Sequence, residues 1–200
     1  MDNNDYLEDD LPGKLSMAVE YFNTVLYNNI PLIAQTLYSC IYTKNKVIVC
    51  ATGENIQPSI SFVQDLNLLS VPDTGSVAAV SMNSDVRLIQ VLQRAANNRI
   101  YTGQFESIVK DMDALMVIPS NTSDVALLAA LEDLIKRAKD QNTMVIMLSC
   151  KQDGDQLSRH LVPGEDIYLE LGDGTDYTSN IHVLITLQSI LNKFKELKNS

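Results

Sequence analysis

Five short apolar runs constrain this chain most: Val47–Ala51, Val77–Met82, Leu115–Ile118, Met144–Leu148 and Ile167–Leu171. Most are rich in Val, Ile, Leu and Met without strict alternation, the pattern of strands covered on both faces. Between them lie segments with helical spacing: Ile56–Leu69, Val86–Ala96 with a further turn near Phe105–Lys110, Val125–Lys139 and, more weakly, Gln156–Leu161. Such alternation predicts an α/β fold, a parallel sheet with right-handed crossovers. Two amphipathic helices precede it, over about Leu15–Tyr27 and, opened by Pro31, to about Tyr42; a last helix spans about Ser179–Leu197. Their apolar faces need partners, and oligomerisation through them is expected.

The first 13 residues read as an acidic arm ending at Pro12-Gly13, and residues 14–200 as one domain. The chain has 200 residues, 46% hydrophobic and 20% charged, enough to bury a core. With 15 Lys and Arg against 25 Asp and Glu, its net charge of -10 repels phosphate backbones, so no direct nucleic-acid binding is expected. No apolar run approaches the roughly 20 residues of a membrane span. The N-terminus is acidic where a signal peptide is basic. Cys40, Cys50 and Cys150 are widely spaced and read as free thiols in a reducing, cytoplasmic setting.

The stretch Lys46–Asn55 runs from a strand through a loop into a helix, the place where α/β proteins bind phosphate. Here the loop Ala51-Thr52-Gly53-Glu54-Asn55 has one glycine and a carboxylate. Thr52, Gly53, Glu54 and Asn55 are therefore ligand-binding candidates with a flaw at Glu54. A second loop, after Leu115–Ile118, carries hydroxyls at Ser120, Thr122 and Ser123. These could hold a phosphorylated or carboxylated ligand, or Ser123 could cap the helix that follows Asp124.

Four segments together resemble the sugar isomerase (SIS) domain over about residues 15–197, within its phosphoheptose isomerase branch, which includes the DnaA initiator-associating protein DiaA. Lys46–Leu66, with Ser61-Phe62-Val63-Gln64-Asp65-Leu66, is similar to a loop and an H-F-A-x-E-L helix. Val80-Ser81-Met82-Asn83-Ser84-Asp85 is similar to A-L-N-T-D at a second strand end. Leu115–Ser123 is similar to a strand and a serine- and threonine-rich phosphate loop, and Asn180-Ile181-His182 to E-I-H near the last helix start. The resemblance implies a flavodoxin-like three-layer αβα sandwich with a five-stranded parallel sheet plus N-terminal helices, and a homotetramer.

The chain departs from that family where its chemistry lies. Family isomerases have a G-N-G-G-S loop, whose glycines let backbone amides surround a phosphate. Their zinc and proton-transfer positions, a His and a Glu on one helix and a Gln and a His on the last, fall here on Ser61, Asp65, Ser179 and Leu187. Leucine neither ligates zinc nor moves a proton, so no catalytic residue and no cofactor is expected. The favoured reading is a non-catalytic, DiaA-like assembly factor whose partner by resemblance is DnaA. The alternatives are a phosphoheptose isomerase acting on sedoheptulose 7-phosphate in lipopolysaccharide precursor synthesis, and a non-catalytic phosphosugar-binding protein.

Other polar residues have plainer readings. His182, among Ile181, Val183, Leu184 and Ile185, reads as a hydrogen-bonded core or interface histidine, and His160 as a surface one. Asp111 and Asp113 read as a polar turn before a strand. Asp153-Gly154-Asp155 and Gly172-Asp173-Gly174-Thr175-Asp176 lack the ligand spacing of a calcium loop and read as turns.

Overall fold

A computed structural model describes residues 11–69, 78–83, 100–120, 124–150, 156–172 and 178–199. The expected helix at 86–96, the acidic stretch 1–10, the turn 153–155 and residues 173–176 lie outside the described residues.

The described elements are α1 (Leu11–Tyr21), α2 (Ile30–Tyr42), β1 (Val47–Ala51), α3 (Ile56–Leu69), β2 (Ala79–Ser81), α4 (Ile100–Ile108), β3 (Ala114–Ile118), α5 (Val125–Asp140), β4 (Met144–Ser149), β5 (Ile167–Glu170) and α6 (Thr178–Asn199). All strand pairs are parallel, in the order β2-β1-β3-β4-β5. That is the flavodoxin-like order, with its topological switch between β1 and β3.

Strand side chains alternate between two cores. Val47, Val49, Ala51, Met116, Ile118, Ile146 and Leu148 face one way, against α2, α3 and α6. Ile48, Cys50, Leu115, Val117, Val145 and Met147 face the other, against α4 and α5. Every residue of β1 and β3 is buried, which explains their unbroken apolar runs. β2 is shorter than expected, Ala79–Ser81 against Val77–Met82, although Met82 N–H still donates to Val49 O at 2.9 Å.

The N-terminal helices differ from expectation. Helix α1, Leu11–Tyr21, includes Pro12-Gly13, the pair expected to end an arm. Between α1 and α2 the backbone stays helical, through a wide turn at Phe22–Leu26 and a tight one at Tyr27–Asn29. Pro31 accounts for the tight turn: its ring crowds the carbonyl four residues back, at Tyr27, and it cannot donate. Ile30 N–H bonds Tyr27 O instead. Among the described residues, no helix is long and apolar enough to cross a membrane.

At the amino ends of the strands, two aspartates tie neighbouring segments together. Asp113, buried, accepts from Lys46 N–H at 2.9 Å and Lys110 N–H at 2.8 Å, and pairs with Lys46 Nζ. Asp166 accepts from Val145 N–H at 2.8 Å, Val162 N–H at 2.7 Å and Lys139 Nζ at 2.8 Å. The turn expected at Asp111 and Asp113 is thus a structural anchor.

Candidate functional site

The ladder between β1 and β3 ends in register at Ala51 and Ile118, and Thr52 N–H extends it to Ile118 O at 3.2 Å. At Gly53 the backbone turns left-handed, with φ +54°, and a short turn at Gly53–Asn55 leads into α3. Glycine is needed there twice over. The conformation disfavours a side chain, and a Cβ would lie 2.6 Å from Ser120 Oγ.

The structure brings Thr52, Gly53, Asn55 and Ser120 together at the switch point. Ser120 N–H donates to Thr52 Oγ1 at 2.7 Å, and the two hydroxyl oxygens are 3.1 Å apart. Asn55 Nδ2 donates to Pro119 O at 2.9 Å. Thr52, Asn55 and Ser120 are all buried, while Gly53 and Glu54 face solvent. Thr122 and Ser123 lie outside the described residues. The cap considered for Ser123 belongs to Asp124, whose Oδ1 accepts from Ala126 N–H at 2.9 Å and Leu127 N–H at 3.2 Å. Asp124 has the extended backbone a cap requires, and its carboxylate suits the positive helix end.

Sequence reasoning left one residue of this site without a role. Asn83 is fully buried and uses its carboxamide as a substitute strand: Oδ1 accepts from Ala51 N–H and Nδ2 donates to Ala51 O, both at 2.8 Å. It holds the last residue of β1 where β2 has stopped pairing. Its place just beyond an apolar run was the available signal.

The positions matched to the family's zinc and proton-transfer set carry other side chains. Ser61 and Asp65 are on the exposed side of α3. Leu187 is 3% exposed, in the core with Val183, Ile190, Leu191 and Phe194. Ser179 falls in the first turn of α6. This set does not fit zinc, since one position is a packed hydrocarbon. Among the described residues, no cluster of three or more His, Cys, Asp or Glu is placed to hold a metal.

His182 is buried, with Nδ1 2.7 Å from Leu171 O and its ring 5.1 Å from that of Tyr21, in keeping with a core histidine. His160 is only half-exposed, 2.9 Å from Glu132 Oε1, because the short turn Ser158–His160 lays it beside α5. Cys40 and Cys50 are free thiols. Burial, with Asp113 adding to it, pushes the Cys40 thiol up to about 11, and burial alone pushes Cys50 up. Neither is an activated nucleophile. A groove of about 510 Å³ lies at the opposite, amino end of the sheet, walled by Leu32, Cys40, Met112 and Met144 among others, and none of the candidate residues lines it.

Neither a protein-family model nor a curated protein matches the sequence. Solved structures do match. A phosphoheptose isomerase from Francisella tularensis superposes with a TM-score of 0.75 at 20% identity, over 98% of this chain and 100% of that one. Phosphoheptose isomerase GmhA from Neisseria gonorrhoeae gives 0.78 at 14% identity, over 94% and 95%. The fold is that of the sugar isomerase domain. At such identities the likeness concerns the backbone, and activity is decided by the side chains described above.

Proposed function

We propose that this chain is a non-catalytic carbohydrate-binding protein built on the sugar isomerase fold, with its ligand at the carboxyl ends of β1 and β3. One observation carries the reading: the switch point keeps a buried hydroxyl pair, Thr52 and Ser120, whereas the matched proton-transfer position, Leu187, is core hydrocarbon. Ligands of open α/β sheets enter at such switch points. An aldose–ketose isomerisation needs a group that takes a proton from one carbon and returns it to the next. The exposed Asp65 has no second carrier beside it among the matched positions. The solved structures with this fold are named as phosphoheptose isomerases, which favours a carbohydrate ligand over DnaA as the first partner to test.

Amide NMR with sugars and sugar phosphates tests this reading. Binding should move the Thr52, Gly53 and Ser120 signals first; a panel that leaves all three unmoved would overturn it.

A second reading is an oligomeric assembly factor, to which DnaA binding belongs. It is favoured by exposed apolar side chains on the N-terminal helical segment and α6, namely Met17, Val25, Tyr27, Leu32 and Leu184. Such exposure is characteristic of a surface awaiting a partner. Light scattering would show a tetramer at micromolar concentration, and a strictly monomeric protein would remove this reading.

A further inference from the structure

We infer that the groove at the amino end of the sheet binds a slender, uncharged amphiphile, an unbranched alkyl chain with a hydroxyl head. The site is separate from the β1/β3 switch point and does not rest on the carbohydrate reading. One wall is a face of α2, where Leu32, Thr36 and Ser39 recur at helical spacing down to the C-cap, Thr43. The other is the entry to β3 and β4, with Met112, Ala114 and Met144. The surface between them is mainly apolar. Leu32 is 54% exposed, Met112 64% and Met144 37%. Apolar side chains left in water around one concavity favour an apolar guest that displaces that water, and methionines adapt to its shape.

Size decides the body of the guest. The α2 wall from Leu32 to Thr43 is about 16 Å long at the helical rise per residue. A volume of about 510 Å³ spread over that length leaves a section roughly 6 Å across. A helix with its side chains needs about 10–12 Å, so neither a partner helix nor α2 of a second copy lies in it. An extended peptide brings an N–H and a C=O about every 3.4 Å, each in need of a partner. A mainly apolar lining cannot supply so many. An alkyl chain demands none.

Charge decides the head. Among the described residues, no lysine, arginine or histidine lines the groove. Its one carboxylate, Asp113, is already engaged by Lys46 Nζ and by the Lys46 and Lys110 N–H groups. An anionic or cationic head therefore finds no open counter-charge. The groups left over are neutral. Thr24 and Thr43 donate their hydroxyls to helix carbonyls four residues back, at 2.8 and 2.9 Å. No such bond engages the side chains of Gln35, Thr36 and Ser39 among the described residues, and all three line the groove. A hydroxyl head can donate to and accept from this set.

Methionine-methyl NMR on the full chain, titrated with hexanol, heptanol and octanol, tests this. The Met112 and Met144 signals should move and saturate, while Met82, Met116 and Met147, buried in the two cores, hold still. Affinity should rise about fourfold with each added methylene, the gain from burying one. Octanoate and octylamine should bind several-fold more weakly than octanol. Ser39→Phe, which sets a ring into the groove from an exposed helix position, should weaken octanol at least tenfold; Gln64→Phe, exposed on α3, should leave it unchanged. Shifts that stay linear in alcohol or spread to the core methionines mean solvent action and overturn the inference. Affinity flat with chain length, charged chains binding as tightly as octanol, or full affinity in Ser39→Phe overturns it equally. None of these results touches the carbohydrate reading, which is tested at other residues.

Discussion

The side chain of Ser120 rests on Gly53, so closely that a Cβ at residue 53 would meet Ser120 Oγ at 2.6 Å and Ser120 Cβ at 2.7 Å. The two loops that follow β1 and β3 are fitted to each other at the switch point. Gly53→Ala must either push Ser120 off Thr52 or twist residue 53 out of its left-handed conformation. We expect a loss of about 1–3 kcal/mol in denaturant unfolding, the scale of strain and overpacking. An additional Ser120→Gly change should recover part of it, and full stability in the single variant would contradict the contact.

Asn83 holds both backbone polar groups of Ala51. Asn83→Ala leaves a buried N–H and C=O without those partners, at about 1–3 kcal/mol for each group left unsatisfied. Hydrogen exchange should show the Ala51 amide losing protection while Val47 and Ile48, at the far end of β1, keep theirs. Uniform loss along β1 would mean that Asn83 supports the domain as a whole rather than the site.

The anchors at the other end of the sheet should behave as stability elements only. Removing one partner of a buried ion pair costs roughly 3–5 kcal/mol, and Asp113 also serves two backbone N–H groups. Asp113→Ala should therefore be among the most destabilising single changes in the chain, with Asp166→Ala close behind. Neither should alter carbohydrate affinity at a temperature where the variant is folded. A selective loss of affinity would show coupling between the two ends of the sheet.

Alkali should weaken the fold. The Cys40 thiol rises from 9.0 to about 11, chiefly through burial and then through Asp113. The folded state therefore holds a proton that the unfolded chain releases earlier. Its contribution is complete below pH 9 and is lost as pH rises towards about 11. Cys50, raised by burial, and Tyr101, raised by burial and by Cys50, act in the same direction. Melting temperature should fall from pH 9 upward, less steeply in Cys40→Ala; identical slopes would remove Cys40 from the explanation.

How much of this could be read from the sequence depended on how local the cause was. The sheet was legible because Val47–Ala51 and Leu115–Ile118 are buried on both faces, and that burial is written as unbroken apolar runs. The N-cap was misassigned by one residue, although an aspartate directly before an apolar helix is itself the signature of a cap. The Thr52–Ser120 pair, the Asn83 clamp and the Asp113 anchor join residues 68, 32 and 67 positions apart. No local pattern signals them, because the fold creates those neighbours. The tight turn at Tyr27–Asn29 depends on how Pro31 crowds the helix before it, which spacing alone does not specify.

Loss of proton transfer on a fold shared with phosphoheptose isomerases is the core of the function proposed for this chain. Its most direct test is turnover of sedoheptulose 7-phosphate by the purified protein, with and without added zinc, followed by separation of ketose and aldose products. The account predicts no product above a protein-free control in either condition. Steady, protein-dependent formation of the heptose phosphate would contradict it.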